Sequence, residues 1–305
     1  MKILARVLLG LGAFLLIAAV LAVGYAPGVV KKTPLDVDTT TVYEGEAAKI
    51  DTSTGAFDKR PVFAITYTQA DSKKSSDDHV LFVEHSCAVF DTGGAQECVN
   101  GNDPDLITAS IDIYAEDRKT ALSVDDKNLP DDIVIPEGLI NKFPFDVEKK
   151  AYPFWDGTIG RAVDIEFDGV EDVFGLKTYR FTYTVTDEPI EIGEGIEGTY
   201  DNTVTVNVDP KTGSIVRSGQ DQQRFLDDGT PVLDIQVIGT DDTVKESVDE
   251  AKTNGKMLTL LLTVVPLVGF IGGALCLLGG LALVMRERSA GGQRVADRDG
   301  DKVDA

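Results

Sequence analysis

Residues 257–285 carry no charged side chain, and that run limits what the chain can become more than any other feature. An α-helix rises about 1.5 Å per residue and needs roughly 20 apolar residues to cross a hydrocarbon core, so the run is long enough to span a membrane. A second apolar run, 7–25, follows Lys2 and Arg6 and ends at Pro27-Gly28. The chain is therefore read in five parts: an N-terminal transmembrane helix over 1–28, a β-rich domain over 29–240, a juxtamembrane amphipathic helix over 241–256, a C-terminal transmembrane helix over 257–285, and a disordered tail over 286–305. The first run exceeds the apolar core of an ordinary signal peptide, which favours a retained anchor over a cleaved leader.

The region between the runs is acidic and patterned for strands. Of 29 basic and 51 acidic residues in the chain, it holds 22 and 46. Phosphate binding needs a basic surface, so nucleic acid is excluded as a partner. β-Branched and aromatic residues alternate with polar ones over 61–68, 79–90, 106–114, 162–168, 176–186, 203–208, 214–218 and 232–238, with Gly, Asp and Ser at the boundaries. Pro130, Pro136, Pro144 and Pro153 mark 125–155 as a crossover of turns and extended pieces. The expected fold is mainly β (α+β), an antiparallel β-rich extracytoplasmic domain between terminal helices. Segments 110–122 and 204–216 share a strand, charged turn, strand layout, which suggests two related β halves.

After this region, Thr243 with Glu246 fits a capping box, and Val244, Val248 and Ala251 form one stripe. Asn254-Gly255 reads as a joint before the second span. Lys2, Arg6, Arg286, Arg288, Arg294 and Arg298 flank the outer ends of the spans, against Lys31, Lys32, Lys252 and Lys256 on the inner ends. The positive-inside rule then places the chain in the plasma membrane with both termini cytoplasmic and the large domain outside. Cys87 and Cys98 flank the turn-like 90–94 and are read as a disulfide in an oxidising compartment, the alternative being two separate buried thiols. Cys276 lies within the second span.

Little in the sequence carries chemistry. His79 and His85 share one strand face and read as surface residues sooner than as metal ligands, and no GxSxG, HExxH or phosphate loop is present. No metal, cofactor or catalytic residue is expected, and the chain is not read as an enzyme. In the second span Gly269, Gly273, Cys276 and Gly280 keep small-residue spacing, with Ala18 and Ala22 as a notch in the first, which favours close helix packing within a chain or in a homo-oligomer. Phe143, Phe145, Tyr152, Phe154 and Trp155 form an aromatic cluster that reads either as core or as a ligand-binding surface for an envelope lipid, glycolipid or wall component.

Three motifs carry a family resemblance: Tyr152-Pro153-Phe154-Trp155-Asp156, Gly175-Leu176-Lys177-Thr178-Tyr179-Arg180-Phe181 and Asp209-Pro210-Lys211-Thr212-Gly213. Through them the chain resembles an actinobacterial family of unknown function labelled PorA family porin, over nearly its whole length. The resemblance implies a channel-forming or transport-associated protein and supplies no catalytic residues. The layout of two terminal spans around a β-rich ectodomain is also similar to that of the CD36 scavenger receptor group, which implies lipid handling. A binding or transfer role is the leading expectation, with a porin-like oligomer and a scaffold for envelope proteins as alternatives.

Overall fold

The computed structural model describes residues 2–93, 98–99, 101, 103–131 and 133–300. Gly94 of the turn between the paired cysteines, Met1 and residues 301–305 lie outside the described residues. The chain divides into two compact units, residues 1–31 with 255–305, and residues 32–254.

The first unit is helical. Helix α1 (Lys2–Gly24) is followed by the short α2 (Ala26–Val30), which has Pro27, the proline that closes the apolar run, in its first turn. Helix α3 (Asp241–Thr259) runs through Asn254-Gly255, where the second unit ends and the first resumes. The irregularity comes later, as a π-helical turn at Leu260–Val264 where the Val265 amide donates to the Leu260 carbonyl. Pro266 explains it, because proline has no N–H to donate and its ring crowds the carbonyl one turn back. Helix α4 (Val265–Gly300) then runs past the end of the apolar segment. The disordered tail expected from 286 is helical as far as Gly300, which suits its Arg, Glu, Gln and Ala content.

The second unit is one antiparallel sheet of 10 strands in the order β4-β3-β2-β1-β10-β9-β8-β7-β6-β5. The strands are β1 (Asp38–Lys49), β2 (Arg60–Ala70), β3 (His79–Phe90), β4 (Leu106–Asp117), β5 (Tyr152–Asp156), β6 (Arg161–Val173), β7 (Leu176–Gly193), β8 (Ile196–Val208), β9 (Ile215–Leu226) and β10 (Pro231–Gly239). Two meanders, β1–β4 and β5–β10, are joined where β1 pairs with β10. Several strands outrun their sequence signal. β7 and β8 continue through Pro189 and the Gly193–Gly198 stretch as a long bulged hairpin, because pairing with a neighbour overrides weak local propensity.

The sheet curls until its edges are bridged. Glu116 of β4 bridges Ser123, Leu122 bridges Leu139, and Leu139 bridges Phe154 of β5. The proline-rich crossover thus supplies two short pieces that close the sheet at one end and satisfy its edge groups there. Inside, Leu139, Phe143, Tyr152, Phe154, Ile165, Phe181, Tyr183 and Tyr200 form the largest buried cluster. A second interior cluster holds Ala47, Val62, Ala88, Phe90, Ile235 and Val237, and a β4 bulge turns Ile107 inward to join it.

Four connections share one five-residue turn, at 51–55, 117–121, 156–160 and 209–213. In each, the last amide donates to the Asp carbonyl (2.7, 2.9, 3.0 and 2.9 Å) and the Asp carboxylate accepts an amide two or three residues on. The last residue is left-handed, with φ of 72°, 57°, 65° and 76° at Gly55, Ala121, Gly160 and Gly213. Segments 110–122 and 204–216, alike in sequence layout, each contain this turn.

Candidate functional site

Strand register sorts the side chains of β1–β4 onto two faces. On the concave face, Thr41, Thr66, Ser86 and Ser110 stand in one cross-strand row, and Thr39, Thr68, Glu84 and Asp112 in the next. The rows are hydrogen-bonded to one another: Ser86 and Ser110 hydroxyls lie 2.8 Å apart, Ser110 donates to Asp112 (2.8 Å), and Thr68 donates to Glu84 (2.8 Å). Tyr43 continues the polar lining toward β9, with its hydroxyl 3.0 Å from that of Ser218. The rows run from Thr68, which is buried, out to Ser110 and Asp112 on β4, which are exposed. They form a hydrophilic recess with an open side.

Deeper along the same face a few polar groups are buried beside Val80, Phe82 and Ile140. Tyr114 donates to Glu84 (3.1 Å) and accepts from the Asn141 amide (2.8 Å). Glu116 is fully buried and neither carboxylate oxygen has a hydrogen-bond partner of good geometry. Burial pushes its carboxyl up to about 8, and Glu84 adds to the rise, while the nearby Asn141 backbone and Lys142 ammonium oppose it. Burial also brings Lys142 down to about 8, against the pull of Glu116 and Asp209. The Lys142 ammonium donates to the carbonyls of Thr212 (2.8 Å) and Phe143 (3.2 Å), tying the crossover to the 209–213 turn. Glu84 is raised as well, first by its own burial. Among the described residues no group of three or more His, Cys, Asp and Glu could hold a metal ion.

The aromatic cluster lies elsewhere and is filled. Phe143, Tyr152 and Phe154 are buried, and the Phe143 ring contacts Tyr152, Phe154 and Phe181 at centroid distances of 5.3, 6.2 and 4.8 Å. Phe145 and Trp155 are half-buried, Phe145 beneath the Lys142 ammonium at 3.9 Å. The rings of Phe143, Tyr152 and Phe154 thus belong to the interior cluster, while Phe145 and Trp155 keep part of their surface exposed. Next to them Asp156 accepts from the hydroxyls of Tyr183 (2.9 Å) and Tyr200 (3.1 Å), and Tyr200 accepts from the Asn202 amide (2.7 Å).

On the opposite face of β2–β4, Phe63, Ile65, Cys87 and Val89 form a cluster to which Val99 adds a cover. Cys87, on this face, is bonded to Cys98. His79 holds Asp126 at 2.9 Å, and His85 is exposed on the same face.

In the helical unit, α1 and α4 pack antiparallel through small residues. A Cβ placed on Gly280 would come 3.2 Å from the Ala5 carbonyl oxygen; on Gly273, 3.0 Å from that of Gly12; and on Gly269, 2.9 Å from the Ala19 Cβ. Ala5, Gly12 and Ala19 recur every seventh residue and form the α1 side of the contact. Ala18 and Ala22, the notch expected from the sequence, are half-buried. Cys276 is a free, half-exposed thiol.

Two helices are long and apolar enough to cross a membrane, Ile3–Gly24 and the run within Asp241–Glu287, and they fit a membrane protein. The family profile described as Porin PorA matches residues 4–282. A Porin PorA of Corynebacterium amycolatum is 33% identical over 93 residues, covering 26% of this chain and 24% of that protein. A Porin PorA of Corynebacterium resistens is 27% identical over 136 residues, covering 40% of this chain and 31% of that protein. The matches thus span 24% and 31% of the length of these curated relatives.

Proposed function

The chain belongs to the Porin PorA family, and from that premise we propose that it is a membrane-anchored, transport-associated envelope protein whose β domain receives a polyhydroxylated ligand in the polar recess. The two hydroxyl rows carry this reading. Sugars present alternating hydroxyl donors and acceptors, and Thr41, Thr66, Ser86 and Ser110 present the matching set on a rigid sheet, with Glu84 and Asp112 as strong acceptors beside them. The glycan of a glycolipid and a free wall saccharide share this chemistry.

The topology expected from the flanking charges has support from the helices. Antiparallel packing of α1 on α4 brings the start of one beside the end of the other, which supports a topology with both ends on one side of a bilayer. The sheet is not itself a membrane barrel. The outer face of β7 and β8 carries Thr182, Thr184, Thr203 and Thr205 in hydrogen-bonded pairs, where a barrel in lipid needs an apolar band. A pore, as the family name implies, would have to be assembled by the membrane helices of several copies. Their outward residues, among them Phe14, Ile17, Val268 and Leu275, are exposed and apolar.

Equilibrium dialysis of the chain in lipid nanodiscs against neutral oligosaccharides tests the recess. Retention of a saccharide by the parent chain, and its loss in a folded Ser86→Val chain, is the expected result. No retention of any saccharide, together with ion conductance in planar bilayers, would replace this reading with a plain pore.

A further inference from the structure

Strand β4 stands at one end of the sheet order, so β3 covers only one of its two edges. The other edge is closed at its far end, where the Val124 amide donates to the Ala115 carbonyl (2.9 Å) and the Asp117 amide to the Leu122 carbonyl (2.9 Å). Those two bonds fix which groups face outward. Backbone groups of an antiparallel strand point alternately to either side, and the register of β4 with β3 is unbroken from Ala109 to Asp117, so Ala109, Ile111 and Ile113 also turn their amides and carbonyls to the open edge. Leu81, opposite Ala115, agrees: its amide and carbonyl bond Ser75 and Asp71, away from β4.

That edge is bare among the described residues. No hydrogen bond reaches the outward groups of Ala109, Ile111 and Ile113 there, and Thr108 to Asp112 are all exposed, Ile111 at 67%. Proline and lysine, which blunt a strand edge against further pairing, do not occur between Leu106 and Glu116. The single irregularity of the strand is the bulge at Ile107. Its two faces differ in character. Ser110 and Asp112 continue the polar concave face, whereas Ala109, Ile111 and Ile113 lie on the other, opposite Cys87, His85 and Val83.

We propose that this edge pairs antiparallel with the same edge of a second copy of the chain, centred on Ile111. With Ile111 opposite Ile111 of the second copy, Ala109 meets Ile113, and the members of each pair exchange their outward amides and carbonyls. On the concave face Ser110 then stands opposite Asp112, hydroxyl donor to carboxylate acceptor, while on the other face isoleucine meets isoleucine and alanine. The neighbouring registers lose this match. Centring on Asp112 sets two carboxylates against each other, and centring on Ser110 sets Ile113 against Ile107, which the bulge turns inward. The self-match selects a copy of this chain over an arbitrary strand. The contact involves the β unit alone, and it does not depend on the saccharide reading of the recess.

Cross-linking of the full chain in detergent micelles tests the pairing. One strand edge buries little area for a stable complex, so a covalent trap is the readout. Ile111→Cys in a Cys276→Ser chain, treated with a short bis-maleimide, is expected to give a cross-linked dimer. Adding Ala109→Pro removes an outward amide that β3 does not use, and the dimer is expected to be lost while circular dichroism stays unchanged. Ser110→Asp opposes two carboxylates across the pair and leaves the backbone alone; it is expected to have the same effect. Thr184→Cys, at an exposed site on β7, is expected to give no dimer. Absence of a dimer from Ile111→Cys, a dimer that survives Ser110→Asp in a folded chain, or equal cross-linking through Thr184→Cys would overturn the proposal.

Discussion

Gly12 of α1 lies against Gly273 of α4 so closely that a Cβ on Gly12 would stand 2.9 Å from the Gly273 carbonyl oxygen. Contact at that distance allows backbone to meet backbone, and in a membrane such packing does what hydrophobic burial does in water. Gly12→Leu is expected to separate the helices at that level and to cost about 1–3 kcal/mol. Cysteines placed at Leu8 and Gly279, where a Cβ on Gly279 would meet the Leu8 side chain at an ordinary 3.9 Å, should cross-link in a Cys276→Ser chain with Gly12 intact and poorly in Gly12→Leu. Equal cross-linking in both would show that the helices do not meet through this stripe.

The shared turn makes two opposite changes informative. Ala121 holds a left-handed φ of 57° at the position where the other three turns have glycine. Ala121→Gly removes that strain, about 1 kcal/mol, and should raise the denaturation midpoint. Gly213→Ala should do the reverse and by more, because its Cβ would lie 2.1 Å from the Phe143 carbonyl oxygen. Urea titrations of the two variants check both signs.

The Cys87–Cys98 bond closes a loop with a sequence separation of 11. By chain entropy alone a loop of that size is worth about 2–3 kcal/mol. Replacing both cysteines by alanine should lower stability by that order, and should speed hydrogen exchange in β3 and β4 more than in β7 and β8.

Glu116 sets a pH dependence with a definite sign. Its carboxyl is raised from an ordinary 4.5 to about 8, so between those values the folded chain holds a proton that the unfolded chain releases. The stabilising contribution is complete below about 4.5 and is lost as the pH climbs through about 8, with a slope of at most about 1.4 kcal/mol per pH unit. Lys142, lowered to about 8, works the other way above that value, since there the unfolded chain keeps the proton longer. Glu116→Gln should flatten the fall in melting temperature between pH 5 and 8. An unchanged slope would assign it to other groups.

The sequence revealed the elements that depend on local pattern and missed those that depend on meeting another segment. Both apolar runs, the alternating strands and the cysteine pair could be read because charge, period and spacing are written along the chain. Pro189 and Gly193–Gly198 concealed the long β7–β8 hairpin, whose pairing comes from neighbours. The recess was invisible for the same reason. Thr66, Ser86 and Ser110 look like ordinary strand hydroxyls until β2, β3 and β4 are put in register. The aromatic residues attracted attention as a binding surface because they cluster in sequence, yet Phe143, Tyr152 and Phe154 are core, and the crossover they belong to is what closes the sheet. Glu116 gave no signal at all, since only burial distinguishes it from the many acidic residues around it.

The central claim is that the recess of β1–β4, not the aromatic cluster, meets the ligand. Hydrogen exchange of the nanodisc-held chain, with and without a saturating wall oligosaccharide, tests it most directly. Protection confined to peptides covering 39–43, 64–68, 84–88 and 108–114 is the result this account requires, while protection centred on 143–155, or none anywhere, would contradict it.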